Sequence, residues 1–251
     1  MRQQIFILIL IILTAIGCQS PGKPSLTNFS QISVDSTITE DTAVAAYITP
    51  LRDSVETIMN EVIGTSSGEM FSEKPESALS SFVADLLKEA ATKELKKSDN
   101  EKLPVITVIN IRGLRAPLPK GPVKVKHIYA LMPFENQMVI LKMKGTDIKK
   151  LYQHMGESDG DGLSGGSFTF VNKSVKDPKI NNQCVKDDAF YYVVTSDYLA
   201  SGGDHYTIFA NAIEQHESSQ KIRDLIIEHI RDLQRKGISI PEPANTRIEI
   251  R

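Results

Sequence analysis

Residues 104–116 read Pro-Val-Ile-Thr-Val-Ile-Asn-Ile-Arg-Gly-Leu-Arg-Ala, a β-branched apolar run followed by a polar, glycine-containing turn. A continuous apolar run of this kind, rich in β-branched residues, predicts a buried strand over 104–110. Helical periodicity lies on both sides of it along the chain, so the sequence mixes strands with helices.

Helical and strand patterns cover much of the remaining chain. Apolar residues at helical spacing predict helices, and β-branched or alternating runs predict strands. The predicted helices are 77–97, a short helix that follows a turn and cap at 145–147 and ends near Met155, and 218–236. The predicted strands are 104–110, 137–144, 167–171, 190–195 and 246–250.

An apolar stripe opens the folded part of the chain. Apolar residues recur there at spacings of four and three, which places them on one face of a helix. They are Val44, Ile48, Leu51, Val55, Ile58 and Val62. Because Pro50 has no backbone N–H, it is expected to kink this helix or to delay its start.

The N-terminus predicts export. Arg2 precedes an unbroken apolar run from Ile5 to Leu13, and small residues then lead to Cys18. The run is too short to span a bilayer and predicts a signal peptide over residues 1–17. The residues before Cys18 resemble a lipoprotein processing box, so we expect a lipid anchor on Cys18 and a cell-envelope location, on the periplasmic or outer-surface side of a bacterial membrane. An ordinary secretory signal with an incidental cysteine is the alternative.

Composition indicates a globular domain behind a tether. Residues 18–40 are rich in Ser, Thr and Pro, so they are predicted to be flexible and to leave 41–251 as the domain. If Cys18 is lipidated, Cys184 has no partner for an intrachain disulfide. A net charge of -2 gives no sign of a basic surface, which disfavours binding to a nucleic-acid polymer.

Four short motifs follow one another in a recognisable order. Residues 76–85 read ESALSSFVAD, residues 110–115 NIRGLR, residues 133–136 PFEN and residues 201–204 SGGD. In this order and context the chain, from about Ile48 to its C-terminus, resembles the C-terminal, substrate-recognition domain of the 5'-nucleotidase / UDP-sugar hydrolase family. The resemblance implies an α/β (α+β) fold with helices packed outside two sheet layers, arranged α/β/β/α.

The resemblance also implies a nucleobase clamp. Phe134 and Tyr198 match two aromatic positions that hold a base between them, and such stacking contributes about 1–3 kcal/mol per base. Asn136 offers an amide with donors and an acceptor for the base edge. The alternative is that Phe134 packs in the core and Tyr198 at a strand end.

Polar residues complete the implied site. Asp204, after two glycines, would accept hydrogen bonds from both ribose hydroxyls, although a turn aspartate is a common alternative. Asn110 and Arg115 match positions that contact the base and the ribose or phosphate side, but an arginine after a strand is also a frequent ion-pair partner. Arg112 replaces a usual Gly and either crowds the pocket or adds a phosphate contact. Ser81 replaces Asn or Arg, which would thin the phosphate contacts.

Hydrolysis in this family resembles two-metal chemistry, which requires clustered Asp, His and Asn ligands. None of the five histidines lies in an Asp-x-His or Gly-Asn-His context. We therefore expect no catalytic residue, metal ligand or cofactor in this chain, and expect the metal-bearing domain elsewhere. Residues 159–162, Asp-Gly-Asp-Gly, lack the remaining positions of a calcium loop and are interpreted as turn-rich.

Two functions of different classes compete. The favoured one is the nucleotide- or nucleoside-recognition subunit of a split 5'-nucleotidase in nucleotide catabolism, a hydrolase whose divalent metals belong to a separately encoded metallophosphatase. The other is a stand-alone cell-envelope lipoprotein that binds nucleosides or nucleotides. A relic with a dead pocket is disfavoured by the presence of both aromatic residues and Asp204.

Overall fold

The structure is a computed structural model that describes residues 30–97, 102–243 and 246–251. The predicted signal peptide and Cys18 lie outside these ranges. The described residues fall into two compact units, divided between residues 48 and 49. Within the described ranges, no helix has both the length and the apolar character needed to cross a membrane.

Helices and strands alternate along the chain. The helices are α1 (Thr42–Met59), α2 (Ala78–Lys97), α3 (Val125–Leu131), α4 (Gly145–Glu157), α5 (Asp197–Ala200) and α6 (Ile222–Arg235). The strands are β1 (Val62–Ser66), β2 (Val105–Ile109), β3 (Gly121–Lys124), β4 (Gln137–Lys144), β5 (Gly162–Ser164), β6 (Gly166–Val171), β7 (Ser174–Ile180), β8 (Gln183–Cys184), β9 (Phe190–Ser196), β10 (Glu214–Lys221) and β11 (Ile248–Ile250).

A five-stranded mixed sheet, ordered β10-β4-β9-β2-β5, forms the centre of the second unit. Alternate side chains of a strand point to opposite faces. In β4, Met138 and Ile140 enter one core with α2 and α6, whereas Val139 and Leu141 enter a second core with α4. Both faces are therefore apolar, which explains why the 104–110 run shows so little alternation.

The second core joins the central sheet to a four-stranded sheet ordered β11-β6-β7-β8. Helix α4 contributes Ile148, Leu151, Tyr152 and Met155 to this core, and all four are fully buried. Strands β1 and β3 pair separately. The mixed α/β fold class predicted from the sequence is confirmed.

Several predicted boundaries were wrong for identifiable reasons. Helix α6 begins at Ile222, not at residue 218, because residues 214–221 pair with β4 as strand β10. Residues 145–147, predicted to be a turn and cap, are the first turn of α4. The stripe residue Val62 lies in β1, and Pro50 is contained within α1.

Helix α1 begins behind Asp41, whose Oδ1 accepts the N–H groups of Ala43 and Val44 at 2.9 and 3.1 Å, a standard N-cap arrangement. None of its 18 residues, all of them described, is buried. The apolar stripe predicted for this helix is therefore present but exposed; Leu51, for example, is 61% exposed.

The acidic residues of the 76–85 motif hold the C-terminal strand. Glu76 Oε2 accepts the backbone N–H groups of Arg247 and Ile248 at 2.7 and 3.1 Å. The Arg247 guanidinium donates to Asp85 at 2.7 Å, and Ser81 Oγ donates to Glu76 at 2.7 Å. Ser81 is buried and occupied by this contact, so its role here is structural.

Candidate functional site

Three separate segments meet at one end of the central sheet, where β2 and β9 terminate and β4 begins. Strands β2 and β9 are parallel, with Thr107 opposite Val194, so Asn110 and Tyr198 leave the sheet on the same side. Strand β4 is antiparallel to β9, with Met138 opposite Ser196, so the residues just before β4 reach that end too. The fold therefore collects the 110–115, 133–136 and 197–206 segments from across the chain.

Asp204 makes most of the polar contacts seen at this end of the sheet. Its Oδ2 accepts a hydrogen bond from Asn110 Nδ2 at 2.7 Å, and its Oδ1 accepts one from the Tyr198 hydroxyl at 2.9 Å. Its backbone N–H donates to the same hydroxyl at 3.3 Å. A carboxylate has about four lone-pair positions, so each oxygen keeps capacity for one more donor. The arrangement suits a ligand with two neighbouring hydroxyl groups.

The backbone of the 201–205 turn brings Asp204 close to Tyr198. Gly202 has φ 91° and Asp204 has φ 48°, both in the left-handed region, which Gly and Asp tolerate better than other residues. A Cβ at Gly203 would lie 2.5 Å from the Tyr198 ring. Glycine at 203 is therefore required for the ring to lie against the turn.

The two predicted clamp rings are accessible. Phe134 is 43% exposed and Tyr198 is 46% exposed, which excludes the alternative that Phe134 is a core residue. Asn136 is partly exposed, and its backbone oxygen accepts the N–H of Ile222 at 2.9 Å. The Tyr198 ring lies beside the Asp204 carboxylate, whereas Phe134 lies on the loop just before β4, at the same end of the sheet. Exposed aromatic surface of this kind is typical of a recognition site.

The two arginines of the 110–115 motif are exposed and do not enter the Asp204 network. Arg115 Nη1 donates to the backbone oxygen of Arg112 at 3.4 Å. Arg112 itself points to solvent on the short helical turn 111–113. These guanidinium groups lie next to the site in sequence and carry positive charge, but they are not fixed by an acidic partner in the described contacts.

A buried acidic residue that the sequence does not single out, Asp161, connects two segments of the site. Asp161 is 5% exposed; it accepts the backbone N–H of Ile111 at 2.9 Å and the Tyr206 hydroxyl at 2.5 Å. Burial raises the pKa of Asp161, and it also raises the pKa of Tyr206. Asp161 thus joins the 110–115 loop to the 197–206 segment. Its place in the Gly-rich stretch 159–162 is the available signal, but by itself that stretch predicts only a turn-rich loop.

Removing the Tyr206 hydroxyl should test this connection. Tyr206→Phe is expected to cost about 1–3 kcal/mol of unfolding free energy, because a buried carboxylate loses a donor. Since that hydrogen bond favours the ionised form, the deficit should grow as pH rises through the folded-state pKa of Asp161 and shrink below it. Urea unfolding at several pH values measures it, with the 78%-exposed Tyr47→Phe as control. Equal losses in both variants would contradict the connection.

The described residues do not offer a metal centre. Across 30–97, 102–243 and 246–251, no three His, Cys, Asp or Glu side chains gather as they would around a metal ion. His154 has its Nε2 3.3 Å from the Asp204 backbone oxygen and its ring edge-on to Tyr206.

A carboxylate, an amide and two exposed rings at the end of a mixed sheet form the candidate site of this α/β domain. The sequence model of the 5'-nucleotidase C-terminal domain matches residues 62–211. The chain belongs to this family.

Curated relatives agree over most of the chain. It is 23% identical over 237 residues to the 5'-nucleotidase of Rattus norvegicus, covering 84% of this chain and 40% of that protein. It is 22% identical over 230 residues to a trifunctional nucleotide phosphoesterase of Bacillus subtilis, covering 83% of this chain and 15% of that protein. The chain thus spans well under half of the length of either relative.

Solved structures share the fold. The 5'-nucleotidase precursor of Thermus thermophilus superposes with a TM-score of 0.68 at 22% identity, covering 83% of this chain and 42% of that one. The NAD nucleotidase of Haemophilus influenzae gives a TM-score of 0.60 at 17% identity, covering 84% and 42%.

Proposed function

We propose that this chain is the nucleotide- or nucleoside-recognition subunit of a split 5'-nucleotidase. The observation that carries the proposal is the Asp204 carboxylate, held by Asn110 and Tyr198 at the end of the sheet where Phe134 is exposed. The carboxylate would receive the two ribose hydroxyls, while Phe134 and Tyr198 would stack on the base. Asn136 would read the base edge, and Arg115 would face the phosphate.

In this proposal the hydrolytic chemistry belongs to a separately encoded metallophosphatase. The relative named 5'-nucleotidase from Rattus norvegicus is more than twice as long as its matched region, which is consistent with a second functional part. The described residues lack a metal-ligand cluster, so the two metal ions would be held by the partner. The split arrangement lets the partner supply metal chemistry and this chain supply selectivity for the nucleoside.

Calorimetric titration tests the binding half of the proposal. Adenosine, AMP and UMP are each titrated into the mature protein, with ribose 5-phosphate as the base-free control. We expect the nucleoside compounds to bind and the control to bind at least tenfold more weakly, since it offers nothing to the rings. Failure of all three nucleoside compounds to bind would refute the proposed function.

Lipidation of Cys18 would place the site at the cell envelope. The supporting observation is the short apolar run followed by small residues before Cys18. We expect Cys18→Ser to abolish incorporation of a labelled fatty acid, because acylation requires the thiol. Cys184→Ser is the matched control and should label normally. Labelling that survives in the Cys18 variant would disprove the anchor.

A further inference from the structure

A buried arginine stands at the start of helix α6, where electrostatics disfavours it. Arg223 is the second residue of α6 and is 5% exposed. The N-terminal end of a helix carries partial positive charge and favours acidic side chains over a guanidinium. Burial adds a second cost, because the charged group loses contact with water. The contacts of Arg223 show what offsets these costs.

The hydrogen bonds of Arg223 lead to the loop that carries Phe134. Its Nη1 donates to the backbone oxygens of Met132 and Phe134 at 3.5 and 3.4 Å, and its Nη2 pairs with the carboxylate of Glu135. The guanidinium lies over the ring of Tyr129, 4.2 Å from its centroid. A planar fork of donors can hold carbonyl and carboxylate groups together, which an ammonium group cannot do as well.

Two neighbours of Arg223 reinforce the same loop. Lys221 also pairs with Glu135, and the hydrogen bonds from Lys221 and Arg223 lower the pKa of Glu135 to about 2. Ile222 donates its backbone N–H to the Asn136 oxygen at 2.9 Å. Residues 221–223, at the junction of β10 and α6, therefore all make polar contacts with the loop 132–136.

We infer that Arg223 is a positioning residue of the nucleoside site, holding the 132–136 loop so that the Phe134 ring stays presented for stacking. It does not touch the ligand; it acts through the carbonyl of Phe134 and the carboxylate of Glu135. The ligand part of this inference rests on the proposed function, whereas the ordering of the loop can be measured without any ligand.

Because the chain has no tryptophan, a single introduced tryptophan is a specific fluorescence reporter. Phe134→Trp introduces a single indole on the loop and keeps a stacking ring. The mature Phe134→Trp protein is the parent. It is compared with two double variants, one that adds Arg223→Met and one that adds Arg231→Met. Arg231 lies on the same helix and pairs with Glu61 at 2.7 Å, so its loss controls for removing any α6 arginine.

Ordering of the loop is read without ligand. Arg223→Met is expected to lower the fluorescence anisotropy of the indole and to raise its quenching by acrylamide, whereas Arg231→Met leaves both at the parent value. Glu135→Gln is a second route to the same effect, and its side chain is 60% exposed, so it decides the matter if Arg223→Met fails to fold. Parent-like anisotropy and quenching in the folded variants would overturn the inference.

Binding is read next, by titrating adenosine into the same proteins. A loosened loop should weaken binding by about tenfold, part of what complete loss of base stacking would remove. The unsubstituted mature protein is titrated alongside; if neither it nor the Phe134→Trp parent binds adenosine, AMP or UMP, the proposed function fails while the loop measurement still stands. If the parent binds and the loosened variants bind equally well, the loop is ordered for another purpose and the positioning role is refuted.

Discussion

The mature chain, purified alone, is expected to release no phosphate from AMP, with or without Mn²⁺, Zn²⁺ or Mg²⁺. A phosphate monoester dianion repels hydroxide, and its uncatalysed hydrolysis is so slow that enzymes accelerate it by up to ~10²¹-fold. Bound metal ions provide the neutralisation that makes attack feasible. In the described part of the chain no His, Cys, Asp and Glu side chains are grouped to hold them. Colorimetric phosphate release measures this outcome, and metal-dependent turnover that co-elutes with the pure protein would contradict it.

Adding the metallophosphatase partner should restore turnover with a characteristic selectivity. We expect kcat/KM for AMP to rise by roughly five- to 150-fold over the partner alone, which corresponds to about 1–3 kcal/mol from contacts with the nucleoside. The value for p-nitrophenyl phosphate should change little, because that substrate has no nucleoside for Phe134, Tyr198 and Asp204 to hold. The partner to test is a signal-bearing metallophosphatase from a neighbouring reading frame that lacks its own C-terminal domain.

The pair of substrates distinguishes the competing functions. Equal stimulation of both would indicate nonspecific stabilisation of the partner rather than substrate recognition. Absence of stimulation by a chain that still binds adenosine would favour the stand-alone binding lipoprotein. Either result would reject the split enzyme.

Truncating the exposed ring of Phe134 should weaken nucleoside binding strongly. Phe134→Ala removes one face of the proposed clamp, so adenosine affinity is expected to fall by about 1–3 kcal/mol, roughly five- to 150-fold in Kd. Folding should be little affected because the side chain is 43% exposed. Isothermal titration measures Kd, and thermal unfolding checks that the variant is native.

Two matched variants sharpen that measurement. Phe134→Trp keeps an aromatic face and should retain binding. Phe190→Ala removes a ring from the first residue of β9, at the end of the strand remote from Tyr198, and should leave Kd unchanged. An Ala variant at 134 that binds as tightly as the wild type would eliminate stacking by Phe134 as a source of affinity.

The sequence predicted the central strands and main helices well because their signals are local. β2, β4 and β9 are rich in β-branched or apolar residues, and the apolar face of α6 repeats at helical spacing. Strand β10 was missed because EQHESSQK has no apolar alternation; only its pairing with β4 defines it. Likewise, nothing in the spacing of the α1 stripe reveals that its side chains are exposed.

The site shows the same limit. The short motifs point to Asn110, Tyr198 and Asp204, and in the structure these residues are hydrogen-bonded neighbours. The sequence does not identify Asp161, because an acidic residue in a Gly-rich stretch predicts a turn; only the folded chain brings the donors of Ile111 and Tyr206 to it. Contacts between residues far apart in the chain leave no periodic pattern, so a single sequence does not reveal them.

The two edge strands of the central sheet also affect whether copies of this protein associate through their sheets. One edge, β10, is composed entirely of polar and charged residues, and the other, β5, is only three residues long. Unpaired backbone groups on an edge invite a strand from another molecule, and charge or shortness discourages that pairing. The strongly β-forming strands β2, β4 and β9 lie between these edges. Chains held close together on a surface would thus be protected from joining sheet to sheet into aggregates.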